Sequence, residues 1–278
     1  MDAWTLRNQI ERIDNLPTIP AVLKRLLELI EDPNISLQEI GNFILKDPAL
    51  TTRILKVVNS PIYGFPGRIS TVSQALILLG LNVVKGLLLG VSVFDVMQKV
   101  MAGLWEHSVG CAITSRIIAQ KRAPAYLEEI SVAALLHDIG KVVLGMKFPD
   151  KYKKAVSEAE KKDIFISEAE KKIFETTHAS VGAWLIEKWN FPKNISEVIE
   201  YHQKPNLSKN FPLQTSVVHV SNVLIRAKGF GFSGDNIAPP INPFAWETLN
   251  LTEDDIRDIL AEMEESLEHA SDIALIAI

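Results

Sequence analysis

AVLKRLLELIEDPNISLQEIGNFILKDPALTTRILKVVN, residues 21–59, decides the fold class. Val22, Leu23, Leu26, Leu27 and Ile30 recur at steps of three and four, the spacing of one helix face. Pro20 suits a first helical turn, where a missing N–H leaves nothing unpaired. Asp32-Pro33-Asn34 breaks that helix. Ser36 and Glu39 are spaced as a capping box and start a second. Asp47 as N-cap and Pro48 at the first helical position start a third. Outward from there the pattern persists. Ser60–Gly67 (SPIYGFPG) is a loop by its Pro and Gly content. Thr71 and Gln74 open a helix running through Leu79, with Gly80 as its C-cap. Gly86–Phe94 is the most apolar run, far short of the ~20 residues that span a bilayer, and is predicted to be a buried helix. Strand-like alternation is scarce, so the chain is predicted to be all-α, a multi-helix bundle.

The 278 residues are 47% hydrophobic, enough to bury a large core. The net charge of −5 argues against general nucleic-acid binding, which needs a basic face, although a local basic patch is compatible with that total. Cys111 is the only cysteine. It is predicted to be a small buried apolar side chain in a reducing compartment. MDAWTLRNQIERID carries no basic segment followed by an apolar one, so no secretory leader is predicted and a cytoplasmic location is expected. Residues 150–172 are charge-rich and repeat EAEKK at Glu158 and Glu168, which reads as a solvated helix face. GFGFSGDNIAPPIN, residues 229–242, reads as a long ordered loop. A final acidic helix is expected from Glu253 to about Ala270, capped by Thr252. Tyr63, Phe65, Trp184, Trp189 and Phe191 are expected to pack on the body, and His219, among valines, to be a satisfied core histidine.

The most specific string is LLHDIGK, residues 135–141. Neighbouring helical residues point about 100° apart, so His137 and Asp138 can reach one cavity. Imidazole nitrogen and carboxylate oxygen there suit a borderline divalent metal. Other histidines stand in distinctive contexts: His107 in WEHSVG, His178 in THASVGAWLIEKWNFP and His202 in EYHQKP.

LLHDIGK resembles the signature of the HD superfamily of metal-dependent phosphohydrolases. The spacing of His178, Gly182, Trp184, Trp189, Phe191-Pro192 and Tyr201-His202 resembles its HDOD (HD-related output domain) branch. LPTIPAVLKRLLELIEDPNISLQEIGNFILKDPALTTRILKVVNSPIYG and STVSQALILLGLNVVKGLLL are similar to the opening of HDOD domains, so the resemblance covers roughly Leu16 to Pro205. It implies two packed helical subdomains, residues 1–100 and an HD-like 101–205, with 206–278 as an extension packing on the second. It implies one or two divalent ions (Fe, Mn, Zn or Ni), one held by His107, His137, Asp138 and, weakly, Asn222. The other would be held by Asp138, His178, His202 and, weakly, Gln203. In an active enzyme Asp138 and Lys141 would serve catalysis, Lys141 facing phosphate.

The departures matter. Active relatives of the HD-GYP kind carry two adjacent histidines where this chain has His202-Gln203, a closing Asp where it has Asn222, and an acid where it has Gly103. No GYP-type segment follows His202. The resemblance therefore implies a non-catalytic output or adaptor module in bacterial signalling. It would work by contact with signalling proteins, with no nucleic acid, no membrane, and a small phosphate-containing ligand as an option. The alternative is a metal-dependent phosphohydrolase acting on a nucleotide or phosphate ester.

Overall fold

A computed structural model describes residues 5–8, 25, 29, 35–63, 65 and 67–274. Most of the first expected helix lies outside these residues; Arg25 and Leu29 within it are helical. His269, which its place on the last acidic helix predicts to be at the surface, has its side chain outside those described.

Local chemistry explains the helix starts. The Glu39 N–H donates to Ser36 Oγ (3.2 Å) and the Ser36 N–H to Glu39 Oε2 (2.9 Å), completing the capping box that opens α1, Leu37–Ile44. Asp47 Oδ1 accepts from the Leu50 N–H at 2.9 Å and opens α2, Pro48–Val58. Thr71 Oγ1 accepts from the Gln74 N–H to open α3, Val72–Leu79. Gly80, at φ 80°, ends it and begins α4, Leu81–Ser92. The apolar run thus spans a buried helix and a break before α5, Phe94–Val100. Tyr63 is buried and stacked on Phe65, as expected. No strand occurs among the described residues, and none of their helices is long and apolar enough to cross a membrane.

The centre of the body is α6, Leu104–Arg122, whose buried residues extend all round the helix rather than along one stripe. Against it pack α7 (Leu127–Leu136), α13 (Pro212–Lys228) and α15 (Glu253–Ala274). Arg122 and Lys121 hold α15 through Asp255 (2.6 Å) and Asp258 (2.9 Å). Between them run α8 (Ile139–Lys147), α9 (Pro149–Lys162), α10 (Ile166–Phe174), α11 (His178–Lys188) and α12 (Lys193–Tyr201); α14 is Pro243–Leu249. Lys85, buried on α4, donates to the Trp189 carbonyl just past α11 and ties the N-terminal helices to the rest. Trp184 and Trp189 pack partly buried on the core beside buried Phe191.

Two expectations need correction. Residues 150–172 form two helices split at Asp163, whose φ of 47° is left-handed. They are not uniformly solvated, because Glu170 is completely buried. His137 and Asp138 also do not share a helix. They occupy the junction between α7 and α8, which lets both side chains turn inward while each helix keeps its own packing.

Candidate metal centre

Helix ends bring the singled-out residues together. His107 lies on α6, His137 and Asp138 at the α7–α8 junction, His178 at the first position of α11, and His202 just past α12. All five are at most 1% exposed. Gly140 makes the junction close enough: a Cβ there would lie 1.9 Å from the His178 carbonyl oxygen and 2.7 Å from the Gly182 nitrogen. Only a bare backbone lets α8 reach the start of α11.

Asp138 is the hub. Its Oδ2 lies 3.3 Å from His137 Nε2 and 3.6 Å from His107 Nε2, while its Oδ1 lies 3.2 Å from His178 Nε2. His107 Nε2 and His137 Nε2 are 3.3 Å apart, and the His137 and His202 rings meet edge to face with centroids 4.9 Å apart. The outer nitrogens fix the tautomers. His137 Nδ1 donates to the Ala134 carbonyl (2.6 Å), His202 Nδ1 to the Ile199 carbonyl (2.7 Å), and His178 Nδ1 to Glu170 Oε2 (2.6 Å). With that proton outward, each ring in its neutral form presents an Nε2 lone pair inward, the arrangement of metal-ligating histidines.

Glu170 was missed from sequence, hidden in the second EAEKK. Its carboxylate also accepts from the His178 backbone N–H (2.8 Å) and the Tyr152 hydroxyl (3.3 Å). Its counterpart in the first copy, Glu160, is exposed, so the two copies have unlike roles. Glu170→Gln leaves one good acceptor for donors that use two oxygens in a dry site. It is expected to lower stability by about 1–3 kcal/mol in urea unfolding.

Gln203 does join the centre. Because His178 Nδ1 is the donor, His178 Nε2 accepts from the Gln203 amide nitrogen at 3.1 Å, and that lone pair is taken. Asn222 lies on α13 with a buried Oδ1 that has no partner among the described residues. It makes no hydrogen bond to the histidines there and lines a cavity of about 730 Å³ with Gln203, His219 and Arg226. Lys141 is buried, its ammonium donating to Asp138 Oδ2 (2.6 Å) and the Ser233 carbonyl (2.7 Å). It faces the carboxylate rather than an open phosphate site. His219 is satisfied as expected, donating from Nδ1 to the His202 carbonyl and accepting the Asn242 N–H at Nε2.

The loop at 229–237 covers the centre. Besides the Ser233 contact, the Phe232 N–H donates to the Gly103 carbonyl at 2.9 Å, and Asp235 accepts from Arg226 and from the Ile166 N–H. Gly231 passes so close that a Cβ would lie 2.3 Å from the His107 nitrogen. Gly103 has φ 89°, and a Cβ there would stand 2.8 Å from the Phe232 nitrogen. An acidic side chain at 103 and this loop cannot share the space.

Burial pushes the Asp138 carboxyl up, but His137 and Lys141 outweigh it and hold it well below the usual carboxylate range. Burial holds His107 and His202 well below the usual imidazole value, Asp138 opposing only in part. Unfolded histidines take up protons near pH 6.5 while these two do not, so the unfolded state binds more protons and stability rises with pH there. The metal-free chain is therefore expected to lose stability as pH falls below about 6.5. It should lose more below about 3.9, where unfolded aspartates protonate before Asp138. Urea midpoints across that range check this.

A metal fits these residues. His202 Nε2 and Asp138 Oδ1 are buried with no hydrogen-bond partner among the described residues, and the donors of His137, Asp138 and His202 lie within 4.8 Å of one another. Such orphaned atoms are expensive unless something binds them. His107, His137 and Asp138 would hold the ion, with His202 Nε2 near enough to join them.

The HDOD domain model matches residues 16–205, more than half of the chain. The chain belongs to the HDOD family. An HDOD domain protein of unknown function from Geobacter sulfurreducens has the same fold, with TM-score 0.71 and 24% identity over 98% of this chain and 97% of that one. A protein from Marinobacter aquaeolei VT8, provisionally named for signal transduction, matches with TM-score 0.71 and 20% identity over 98% of this chain and 61% of its own. One from Shewanella amazonensis SB2B, provisionally named a phosphohydrolase, matches with TM-score 0.62 and 18% identity over 96% and 92%. An uncharacterized protein of Treponema pallidum (strain Nichols) is 28% identical over 78% of this chain, which spans 43% of that relative's length. The all-α fold and the family expected from LLHDIGK and the N-terminal pattern hold.

Proposed function

We propose that this HDOD chain is a non-catalytic output or adaptor module of bacterial signalling, acting in the cytoplasm by contact with other proteins. Its buried histidine centre holds one divalent ion. The observation that carries this reading is closure. Structural metal sites are closed, whereas catalytic ones keep a position open for water and substrate. Here every histidine of the centre and Asp138 are buried, the loop over them is fastened at Phe232, Ser233 and Asp235, and Lys141 bridges Asp138 to that loop. The Gln203 amide on His178 Nε2 removes a lone pair that a second ion would need, which favours one ion over two. The ion would contribute a Lewis acid and a local positive charge. What the chain does is join α6, α7 and α8 at one point, so that a signal loosening the centre would loosen their packing. On α3, Ile77 is 73% and Leu78 51% exposed, apolar surface of the kind that supports contact with a partner.

A second reading has its own support. The cavity beside Gln203 and Asn222 is also lined by Lys171, Lys204 and Arg226, with Phe165 and Ile241 as apolar walls. That suits a small phosphate-containing ligand. It extends to a metal-dependent phosphohydrolase only if the loop releases Lys141. The test is a screen of phosphate esters and cyclic nucleotides with added manganese or iron. No turnover is expected. Turnover abolished by both His137→Ala and Asp138→Ala would overturn the non-catalytic reading.

A further inference from the structure

Cys111 lies one helical turn beyond His107 on α6, and positions i and i+4 share a helix face. Its Sγ is 3.6 Å from His107 Nε2, and donor atoms of Cys111, His107 and His137 all lie within 4.8 Å of one another. All three side chains are buried. The thiol thus touches the inward nitrogen of a centre whose other atoms, His202 Nε2 and Asp138 Oδ1, lack partners among the described residues.

The spacings carry the inference further. Bonds of about 2.0 Å to nitrogen or oxygen and about 2.3 Å to sulfur in a tetrahedral site set donor–donor edges of roughly 3.3–3.6 Å. His107 to His137 is 3.3 Å, His137 to Asp138 Oδ2 is 3.3 Å, His107 to Asp138 Oδ2 is 3.6 Å, and Cys111 to His107 is 3.6 Å.

We propose that Cys111 is the fourth ligand of the centre, its thiolate joining His107, His137 and Asp138 around one zinc- or iron-class ion. This rests on the proposal of a metal centre and names its ligand set. The thiol gives its proton to solvent as the sulfur–metal bond forms, so one extra proton is released per ion bound. Sulfur beside two imidazoles selects zinc or ferrous iron over manganese or magnesium. The small cavity of about 110 Å³ between His107 and the covering loop gives the ion a way in once that loop shifts.

The test loads the full chain with cobalt(II) and reads its absorption. The expected spectrum has a sulfur-to-cobalt charge-transfer band in the near ultraviolet beside intense visible d–d bands. In Cys111→Ser and Cys111→Ala the sulfur band vanishes, and affinity falls at least about tenfold, the scale of losing a supporting group at such a site. Circular dichroism confirms that both variants fold, so the loss is read at the ligand. Cobalt bound with visible bands but no sulfur band, or a spectrum unchanged in both variants, would overturn the role of Cys111 and leave the metal centre standing. No cobalt bound at all would overturn both.

Discussion

Asp138→Asn is expected to lower stability by about 3–5 kcal/mol, the cost of breaking a buried pair while leaving one charge behind. The carboxylate is the counter-charge for the Lys141 ammonium at 2.6 Å, and both side chains are almost wholly buried. The asparagine oxygen can still accept from the Lys141 ammonium but cannot neutralise its charge. The asparagine amide N–H₂ can donate to a neighbouring histidine lone pair, which offsets part of the loss but leaves the ammonium uncompensated. The double variant Asp138→Asn with Lys141→Met removes both charges and should recover most of the loss. A double-mutant cycle in urea measures the coupling directly. If the double variant is as unstable as the sum of the singles, the pair is not what holds the junction.

The second large effect is expected at Gly140. Its replacement by alanine places a methyl 1.9 Å from the His178 carbonyl, a backbone atom that no rotamer change can move. Overpacking of a core typically costs about 1–3 kcal/mol where side chains can yield. Here α8 and α11 must separate, so about 3 kcal/mol or more is expected, together with weaker metal binding as Asp138 shifts away from His107 and His137. Chemical denaturation with metal titration reads both. Gly182→Ala, whose Cβ would stand 3.1 Å or more from its neighbours, should be milder.

What the sequence disclosed divides by distance along the chain. Ser36, Asp47 and Thr71 were legible as caps because each bonds within three residues of itself. The histidines were legible because their contexts carry a family resemblance. Glu170 was not. Two identical EAEKK strings look alike to any local rule, and only the approach of α11 makes one acid buried. The loop at 229–242 was recognisable from its glycines and prolines, but its task was not. It meets Gly103 and Lys141 across roughly a hundred residues of chain, a pairing with no local signal. Gly103 looked like a lost acid, and the structure supplies the physical reason, a backbone that Phe232 occupies. Cys111 was legible as buried, and its spacing of four from His107 was the signal that could have placed it at the centre.

The central claim is that α6 and the α7–α8 junction aim their donors at one closed point that binds a single ion. The most direct measurement is metal stoichiometry by elemental analysis after saturation with zinc and desalting. One ion per chain is predicted, falling to none in His137→Ala and in Asp138→Ala. Two ions per chain would contradict it, as would retention of the ion by either variant.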